Sequence, residues 1–150
     1  MLQTLKANRG AVVAPHHLAS QAGLRVLQDG GNAIEAMVAA AATIASVYPH
    51  MNALGGDNFW LISTPGSDVV GIDACGAAAA KADIAFYRDQ GLDAIPSRGP
   101  LAALTVGGAV SGWQAALDIS EKWGGALALP RLLEDAEYYA RTGFPVTASQ

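Results

Sequence analysis

Cysteine and clustered positive charge are what this sequence most clearly lacks. Cys75 is the single cysteine in 150 residues, which excludes an internal disulfide and a four-cysteine zinc site. The 9 Lys and Arg residues are outnumbered by 13 Asp and Glu, giving a formal net charge of -4, and they form no cluster. Because phosphate binding needs several positive groups on one face, we predict no nucleic-acid partner.

Long hydrophobic runs are also missing. The longest run, residues 36–47, is too short to span a bilayer and follows the charged Glu35, so we predict a buried helix and no membrane partner. Residues 1–17 contain no apolar stretch long enough for a secretory signal. We therefore expect a cytoplasmic protein; a periplasmic protein whose leader has been removed would give the same sequence.

Small and apolar residues are abundant instead. Hydrophobic residues make up 51% of the chain and charged residues only 15%, and there are 17 glycines. This composition favours close backbone packing and some apolar surface that faces another chain or a further part of the same protein. An Ala-rich globular domain that stands alone is the alternative, and composition leaves both open.

Glycine, proline and capping residues divide the chain into helices and strands. Gly30-Gly31 ends one helix, Asn32 can cap the next, and Asp83 and Pro130 mark two later helix starts. The pattern predicts a buried strand at 11–14, helices at 18–29, 33–47, 84–90, 109–122 and from about 130 to 143, and a β-hairpin at 59–73, and it leaves 101–106 open. Helices and strands come in pairs, which favours a layered α+β fold over a doubly wound one.

Few side chains suggest chemistry by themselves. Cys75 lacks the surroundings of a nucleophilic cysteine, and its Ala-rich flanks favour a small buried residue lining a pocket. The three histidines, His16, His17 and His50, do not have metal-ligand spacing with Asp57, so we predict no metal and no cofactor. We expect His17 to bond near the start of the first helix.

The remaining candidates for a functional site are two glycine pairs and three charged residues in loops. Gly55-Gly56 and Gly107-Gly108 lack the lysine of a phosphate-binding loop, which favours close backbone approach. Asp57, Asp73 and Arg98 lie nearest the predicted strand ends. Arg98 could bind a carboxylate through two N–H donors, and a solvated loop arginine is the alternative.

Several motifs occur together in a fixed order. They are HLASQAG at 17–23, GGNAIEA at 30–36, PH at 49–50 followed by LGGD at 54–57, ID at 72–73, TVGGAVSGW at 105–113 and GFPV at 143–146. In this order they resemble the gamma-glutamyltranspeptidase family, amidases that use their own cleaved N-terminus as nucleophile. The break at 30–36 is the most specific of these motifs.

This resemblance implies a fold, a mechanism and a partner. The expected fold is the four-layer αββα sandwich of the N-terminal nucleophile hydrolases, and residues 1–150 resemble only the N-terminal part of the large subunit. A precursor of this kind cleaves itself before a threonine, whose hydroxyl then attacks an amide carbonyl. That threonine belongs to the small subunit, so we expect no catalytic residue in this chain, an inactive isolated piece, and the small subunit as partner. A homo-oligomer of such heterodimers is a further expectation.

One departure from the family pattern bears on the substrate. The transpeptidases carry an arginine after the strand that grips the glutamyl α-carboxylate, and Cys75 occupies its place here. Related branches that lack the arginine act on other acid amides, such as oxamate or acylated cephalosporin nuclei, and the sequences GGDNFW and SRGPLAALTV resemble those branches more closely. We therefore expect Asp73, Cys75 and Gly76 to line the substrate pocket and Arg98 to replace the lost carboxylate clamp.

These observations predict an amidohydrolase or acyltransferase that cleaves the amide of a small acid, oxamate-like or gamma-glutamyl. A true gamma-glutamyltransferase or glutathione hydrolase, whose clamp comes from elsewhere, is one alternative. A non-catalytic structural or binding domain that stands alone is the other.

Overall fold

The computed structural model describes residue 4 and residues 6–148, which form five α-helices, one short 3-10 helix and a two-stranded sheet. The chain divides into two compact units. The first, called here the helical unit, comprises Met1–Leu54 and Trp113–Gln150, and the second, the hairpin unit, comprises Gly55–Gly112. This mixture of helices with an antiparallel hairpin confirms the predicted α+β class.

The helical unit is built around an apolar central helix. Helix α2 (Ala33–Val47) packs against α1 (His17–Gln28) and against α5 (Leu129–Thr142). Because α2 is apolar around most of its circumference, it can be buried on several sides, and Val38 and Val47 are fully enclosed. A Cβ at Gly23 of α1 would lie 2.8 Å from the carbonyl oxygen of Ala36, so the small residues allow the two helices to approach closely.

The boundary between α1 and α2 follows local signals in the sequence. Gly30 adopts a φ of 90°, a left-handed conformation that costs glycine little. Asn32 then caps α2: its Oδ1 accepts from the backbone N–H groups of Ile34 at 3.0 Å and Glu35 at 3.1 Å. The predicted helix over 33–47 is confirmed, and the one over 18–29 is displaced by a single residue.

The hairpin unit contains the sheet. Strand β1 (Asn58–Ile62) pairs antiparallel with β2 (Val70–Ala74), with Asn58 opposite Ala74 and Ile62 opposite Val70, which confirms the predicted hairpin. Helix α3 (Ile84–Asp89) begins where Asp83 accepts from the N–H of Phe86 at 2.8 Å. For residues 101–106 the sequence pattern predicts no particular element. The structure has a 3-10 helix (Pro100–Ala102) there, followed by an isolated bridge between Thr105 and Ala78. Helix α4 (Ala109–Lys122) follows, with the bounds predicted for it.

Two predictions near the N-terminus are wrong. Residues 11–14 form neither a strand nor a helix, and the side chain of Val13 is 86% exposed, because no strand in the described part of the chain pairs with them. His16 rather than His17 caps α1, since its Nδ1 accepts from the N–H of Leu18 at 3.2 Å.

Large apolar side chains remain exposed, which is one of the two possibilities that composition leaves open. Phe59 and Leu61, which share one face of β1, are 66% and 85% exposed. Among the helices in the described residues, none combines the length and hydrophobicity needed to cross a bilayer.

Candidate functional site

Three segments of the hairpin unit meet where the sheet ends, and glycines allow them to meet. We call this place the glycine junction; it comprises residues 55–57, 74–79 and 104–109. The carbonyl oxygen of Gly56 accepts from the N–H groups of Gly108 and Ala109, each at 2.9 Å. A Cβ at Gly76 would overlap the carbonyl oxygen of Val106, and a Cβ at Gly108 would overlap that of Ala74. The close backbone approach predicted for the glycine pairs is confirmed at Gly107 and Gly108, whereas a Cβ at Gly55 would meet nothing within 4 Å.

Three of the four predicted substrate-binding residues lie in the junction or directly before it. Cys75 and Gly76 belong to the junction and Asp73 lies two residues before Cys75, in β2; the Oδ1 of Asp73 accepts from the backbone N–H of Cys75 at 3.0 Å. This bond turns the chain out of the strand and fixes the Asp73 carboxylate beside Cys75. Their roles toward a substrate remain predictions.

The prediction that Cys75 is buried is wrong. Its side chain is exposed, because it lies one residue beyond the last paired residue of β2 and no described segment covers it. Its Sγ lies 3.9 Å from the carbonyl oxygen of Gly76. The thiol therefore stands at an open edge of the junction.

The surroundings of Cys75 favour the protonated thiol. The pKa of Cys75 is raised, first by partial desolvation, then by the negative charge of Asp57 and its hydrogen bond with the thiol, and finally by the charge of Asp73. A thiol with a raised pKa is a poor nucleophile at neutral pH.

Arg98 is the fourth of the predicted substrate-binding residues. It lies in an exposed loop and precedes Gly99, which has a φ of 88°. Within the described residues, no ion pair or hydrogen bond joins the Arg98 side chain to Asp73, Cys75 or Gly76. The Arg98 side chain is exposed, and its role as a carboxylate clamp stays a prediction.

Asp57 is the residue that the sequence analysis did not include in the candidate pocket. In the sequence it is one of three charges near predicted strand ends, whereas in the structure its negative charge contributes to the raised pKa of the Cys75 thiol. The signal that could have found it is the hairpin register. Extending the pairs of an antiparallel ladder by one residue past Asn58 and Ala74 brings Asp57 opposite Cys75.

The described side chains are not arranged as a metal site. Within residue 4 and residues 6–148, no group of three or more His, Cys, Asp or Glu side chains is arranged to hold a metal ion. His50 contacts Tyr48, with ring centroids 4.2 Å apart, and His16 is enclosed in the helical unit.

Comparison with known proteins identifies the class of protein that this fold and junction represent. Residues 19–150 match the sequence model of the gamma-glutamyltranspeptidase family. Because the match covers most of the chain, the protein belongs to the gamma-glutamyltranspeptidase family, and the resemblance seen in its motifs is confirmed.

The individual relatives point to one branch of that family. The chain is 60% identical over 145 residues to the oxamate amidohydrolase proenzyme of Klebsiella pneumoniae subsp. pneumoniae, a match that covers 96% of this chain and 27% of the relative. It also superposes on the cephalosporin acylase from Bacillus halodurans with a TM-score of 0.78 and 34% identity, covering 88% of this chain and 24% of that one.

A transpeptidase of known structure is somewhat less similar in sequence. The Helicobacter pylori gamma-glutamyltranspeptidase gives a TM-score of 0.78 at 32% identity, covering 92% of this chain and 39% of that one. These likenesses confirm that the chain is a portion of the family fold and is related to the oxamate amidohydrolase and cephalosporin acylase branch. The chain spans about a quarter of the length of the oxamate amidohydrolase proenzyme that it matches.

Proposed function

We propose that the protein is an amidohydrolase that cleaves the amide of a small acid such as oxamate. The observation that carries the proposal is the 60% identity to an oxamate amidohydrolase proenzyme over 145 residues. In this proposal residues 1–150 are the N-terminal part of the large subunit. The nucleophilic threonine lies outside them, in a small subunit released by self-cleavage.

The proposed chemistry has two steps. The threonine hydroxyl attacks the amide carbonyl while the threonine's own α-amino group takes the proton, and ammonia leaves as the C–N bond breaks. Water then attacks the resulting ester, releasing the acid and restoring the hydroxyl. With oxamate the products are ammonia and oxalate.

This chain would contribute one wall of the acyl pocket. Asp73, Cys75 and Gly76 form that wall at the glycine junction, and Arg98 supplies the charge that binds the carboxylate of the acid. A thiol cannot form the two charge-assisted hydrogen bonds that a guanidinium makes with a carboxylate. The pocket is therefore poorly suited to hold a gamma-glutamyl α-carboxylate at Cys75.

The test is a substrate comparison with the intact protein. After purification, self-cleavage is followed by mass spectrometry, and release of ammonia from oxamate is compared with release of glutamate from glutathione. We expect two subunits and a higher kcat/KM for oxamate. Preferred hydrolysis of glutathione would instead indicate a true gamma-glutamyltransferase. A stable protein with neither self-cleavage nor activity would indicate a non-catalytic domain.

The proposed role of Arg98 has its own test. Replacing Arg98 by Ala should raise KM for oxamate at least tenfold, since a hydrogen bond to a charged group contributes about 1.5–3 kcal/mol. Arg88→Ala, which removes an exposed arginine from α3, is the matched control and should leave KM within about twofold. An unchanged KM in Arg98→Ala removes Arg98 from the site.

The cytoplasm is the proposed location. It is tested by fractionating cells that produce the intact protein.

A further inference from the structure

The two faces of the β1–β2 hairpin differ in how far the chain covers them. Asn58, Trp60 and Ile62 alternate along β1 and share one face, on which the side chain of Ile62 is only 7% exposed. At the same face a Cβ on Gly112, in the first turn of α4, would lie 2.8 Å from the Cβ of Ala74. The start of α4 therefore packs directly against this face of the hairpin.

The opposite face of the hairpin is open. It carries Phe59 and Leu61 on β1 and, directly across from them, Asp73 and Gly71 on β2. Because Gly71 has no side chain, a shallow groove runs beside Leu61: a Cβ placed on Gly71 would meet only the Leu61 side chain, at 3.9 Å. We call these four residues the open hairpin face; it offers apolar surface, a hollow and one carboxylate.

A hairpin with one open apolar face needs a further layer. In the described part of the chain the sheet consists of β1 and β2 alone, and a two-stranded sheet is marginally stable in water by itself. Side chains as large as Phe59 and Leu61 are ordinarily buried, and a cluster of them on the surface marks an interaction site. A sheet with a helix on one face and apolar side chains on the other is one half of a layered fold.

The partner for this face belongs to the same protein. The chain spans 27% of the oxamate amidohydrolase proenzyme and 39% of the Helicobacter pylori transpeptidase chain, so most of each relative lies outside the part that contains the hairpin. Cys75 and Gly76 of the proposed pocket wall follow Asp73 directly along the chain, so the wall adjoins the open hairpin face. The nucleophile has to reach that wall, which brings the subunit that carries it close to this face.

We propose that the open hairpin face is the docking surface for the small subunit of the intact protein. The inference rests on the proposed function, because that function supplies the small subunit and its threonine. The docking segment presents apolar side chains to Phe59 and Leu61, and it fills the hollow at Gly71.

Asp73 defines the polar contact that the small subunit supplies. Its Oδ1 accepts from the backbone N–H of Cys75 at 3.0 Å, and in the described part of the chain no ion pair involves its carboxylate. When the face is covered, the carboxylate leaves water, which is costly unless donors replace the lost hydrogen bonds. The segment that docks here therefore carries an N–H donor opposite Asp73.

A photo-cross-link identifies the occupant of this face. Phe59 is replaced, in the intact and self-cleaved protein, by p-benzoylphenylalanine, an aromatic residue that bonds to nearby C–H groups when it is irradiated. We expect mass spectrometry to find the large subunit joined through this position to a peptide of the small subunit. A cross-link only within the large subunit, a cross-link to a second copy of it, or no cross-link overturns the inference.

Two lysine variants test the apolar contact. Leu61→Lys places a charge in the docking surface and should weaken the association of the two subunits at least about tenfold, measured as their dissociation on dilution. Ile84→Lys is the matched control: Ile84 lies on α3 with its side chain 72% exposed, and its replacement should leave the association unchanged. Equal association in the two variants overturns the inference.

Labelling of the unchanged protein gives a result that depends on no variant. Hydroxyl radicals should oxidise Phe59 and Leu61 about tenfold more slowly in the intact protein than in the urea-unfolded protein, since residues at the centre of an interface lose nearly all contact with water. Carbodiimide coupling should modify Asp73 more slowly than the exposed Asp68. Rates in the folded protein that equal those in the unfolded protein overturn the docking surface. Hydrolysis of oxamate is not among these measurements, so an inactive protein in which Phe59 is cross-linked to the small subunit contradicts the proposed function alone.

Discussion

At the residue scale, His16 shows how a buried polar side chain can fix a helix terminus. Its ring is fully enclosed, stacks on His17 with centroids 4.7 Å apart, and meets the edge of Phe144 at 6.5 Å. Because Nδ1 accepts from the N–H of Leu18, the capping form of His16 is the neutral one. The pKa of His16 is lowered, first by burial and then by the charge of His17.

This lowered pKa predicts a loss of stability in mild acid. In the unfolded chain His16 takes up a proton near pH 6.5, whereas in the folded protein it does so only at lower pH. The unfolded state therefore binds more protons below about pH 6.5, and stability falls as the pH decreases through that range, by at most about 1.4 kcal/mol per pH unit for one group. The free energy of unfolding of the intact protein, measured in urea from pH 5 to 8, should show this decrease.

Two variants assign the effect to His16. Asn is a good N-cap that does not titrate in this range, so His16→Asn should flatten the dependence on pH. His50→Asn, at an exposed histidine, should retain the slope of the unchanged protein. Equal slopes in all three proteins would contradict the assignment.

At the scale of elements, the motif GGNAIEA bonds the start of α2 to other parts of the helical unit. Glu35 is only 2% exposed, and its two carboxylate oxygens accept from the N–H groups of Asn32 and Leu127, each at 2.8 Å. Asn32 also donates to Ser120 Oγ at 2.8 Å. The start of α2 is thus bonded to the end of α4 and to the loop before α5. A Cβ at Gly125 would overlap the Ser120 hydroxyl, so glycine is needed beside this network.

The network predicts that replacing the Glu35 carboxylate by an amide of nearly the same shape lowers the stability of the protein. In Glu35→Gln one side-chain oxygen can still accept, but the amide nitrogen would face a backbone N–H, donor against donor. Leaving a buried donor without a partner costs about 1–3 kcal/mol, so the urea midpoint of the intact protein should fall. Glu134→Gln is the control: its carboxylate is 69% exposed and lies 3.4 Å from Arg131, a pair that contributes at most about 0.5 kcal/mol. Equal midpoints for the two variants would show that the Glu35 bonds add nothing to stability.

Most of the helices and strands could be predicted because the residues that start and end them lie next to them in the sequence. Asn32 and Asp83 cap the helices that directly follow them, and the turn between β1 and β2 reverses the chain within a few residues. The strand predicted at 11–14 failed for the opposite reason: an apolar run forms a strand only where another strand supplies backbone partners. Within the candidate site, Asp73, Cys75 and Gly76 are close together in the sequence itself, whereas Asp57 comes near them only through the hairpin.

At the scale of the whole molecule, the exposed apolar residues accord with membership in a longer family fold. Phe59 and Leu61 present a largely uncovered face of the hairpin, which a self-contained domain would ordinarily bury. The chain spans 27% of the oxamate amidohydrolase proenzyme that it resembles, and solved relatives superpose on it as parts of longer chains. The proposed small subunit would supply the nucleophile to such an assembly.

The sequence by itself determined the helices, the hairpin and the family, because caps, glycine breaks and motif order act over a few neighbouring residues. Tertiary structure alone decided which distant groups meet. Glu35 bonds to the backbone of Leu127, and Cys75 lies exposed beside Asp57. Such contacts depend on closing long loops and on the register of a sheet, and no local pattern of residues encodes either of these.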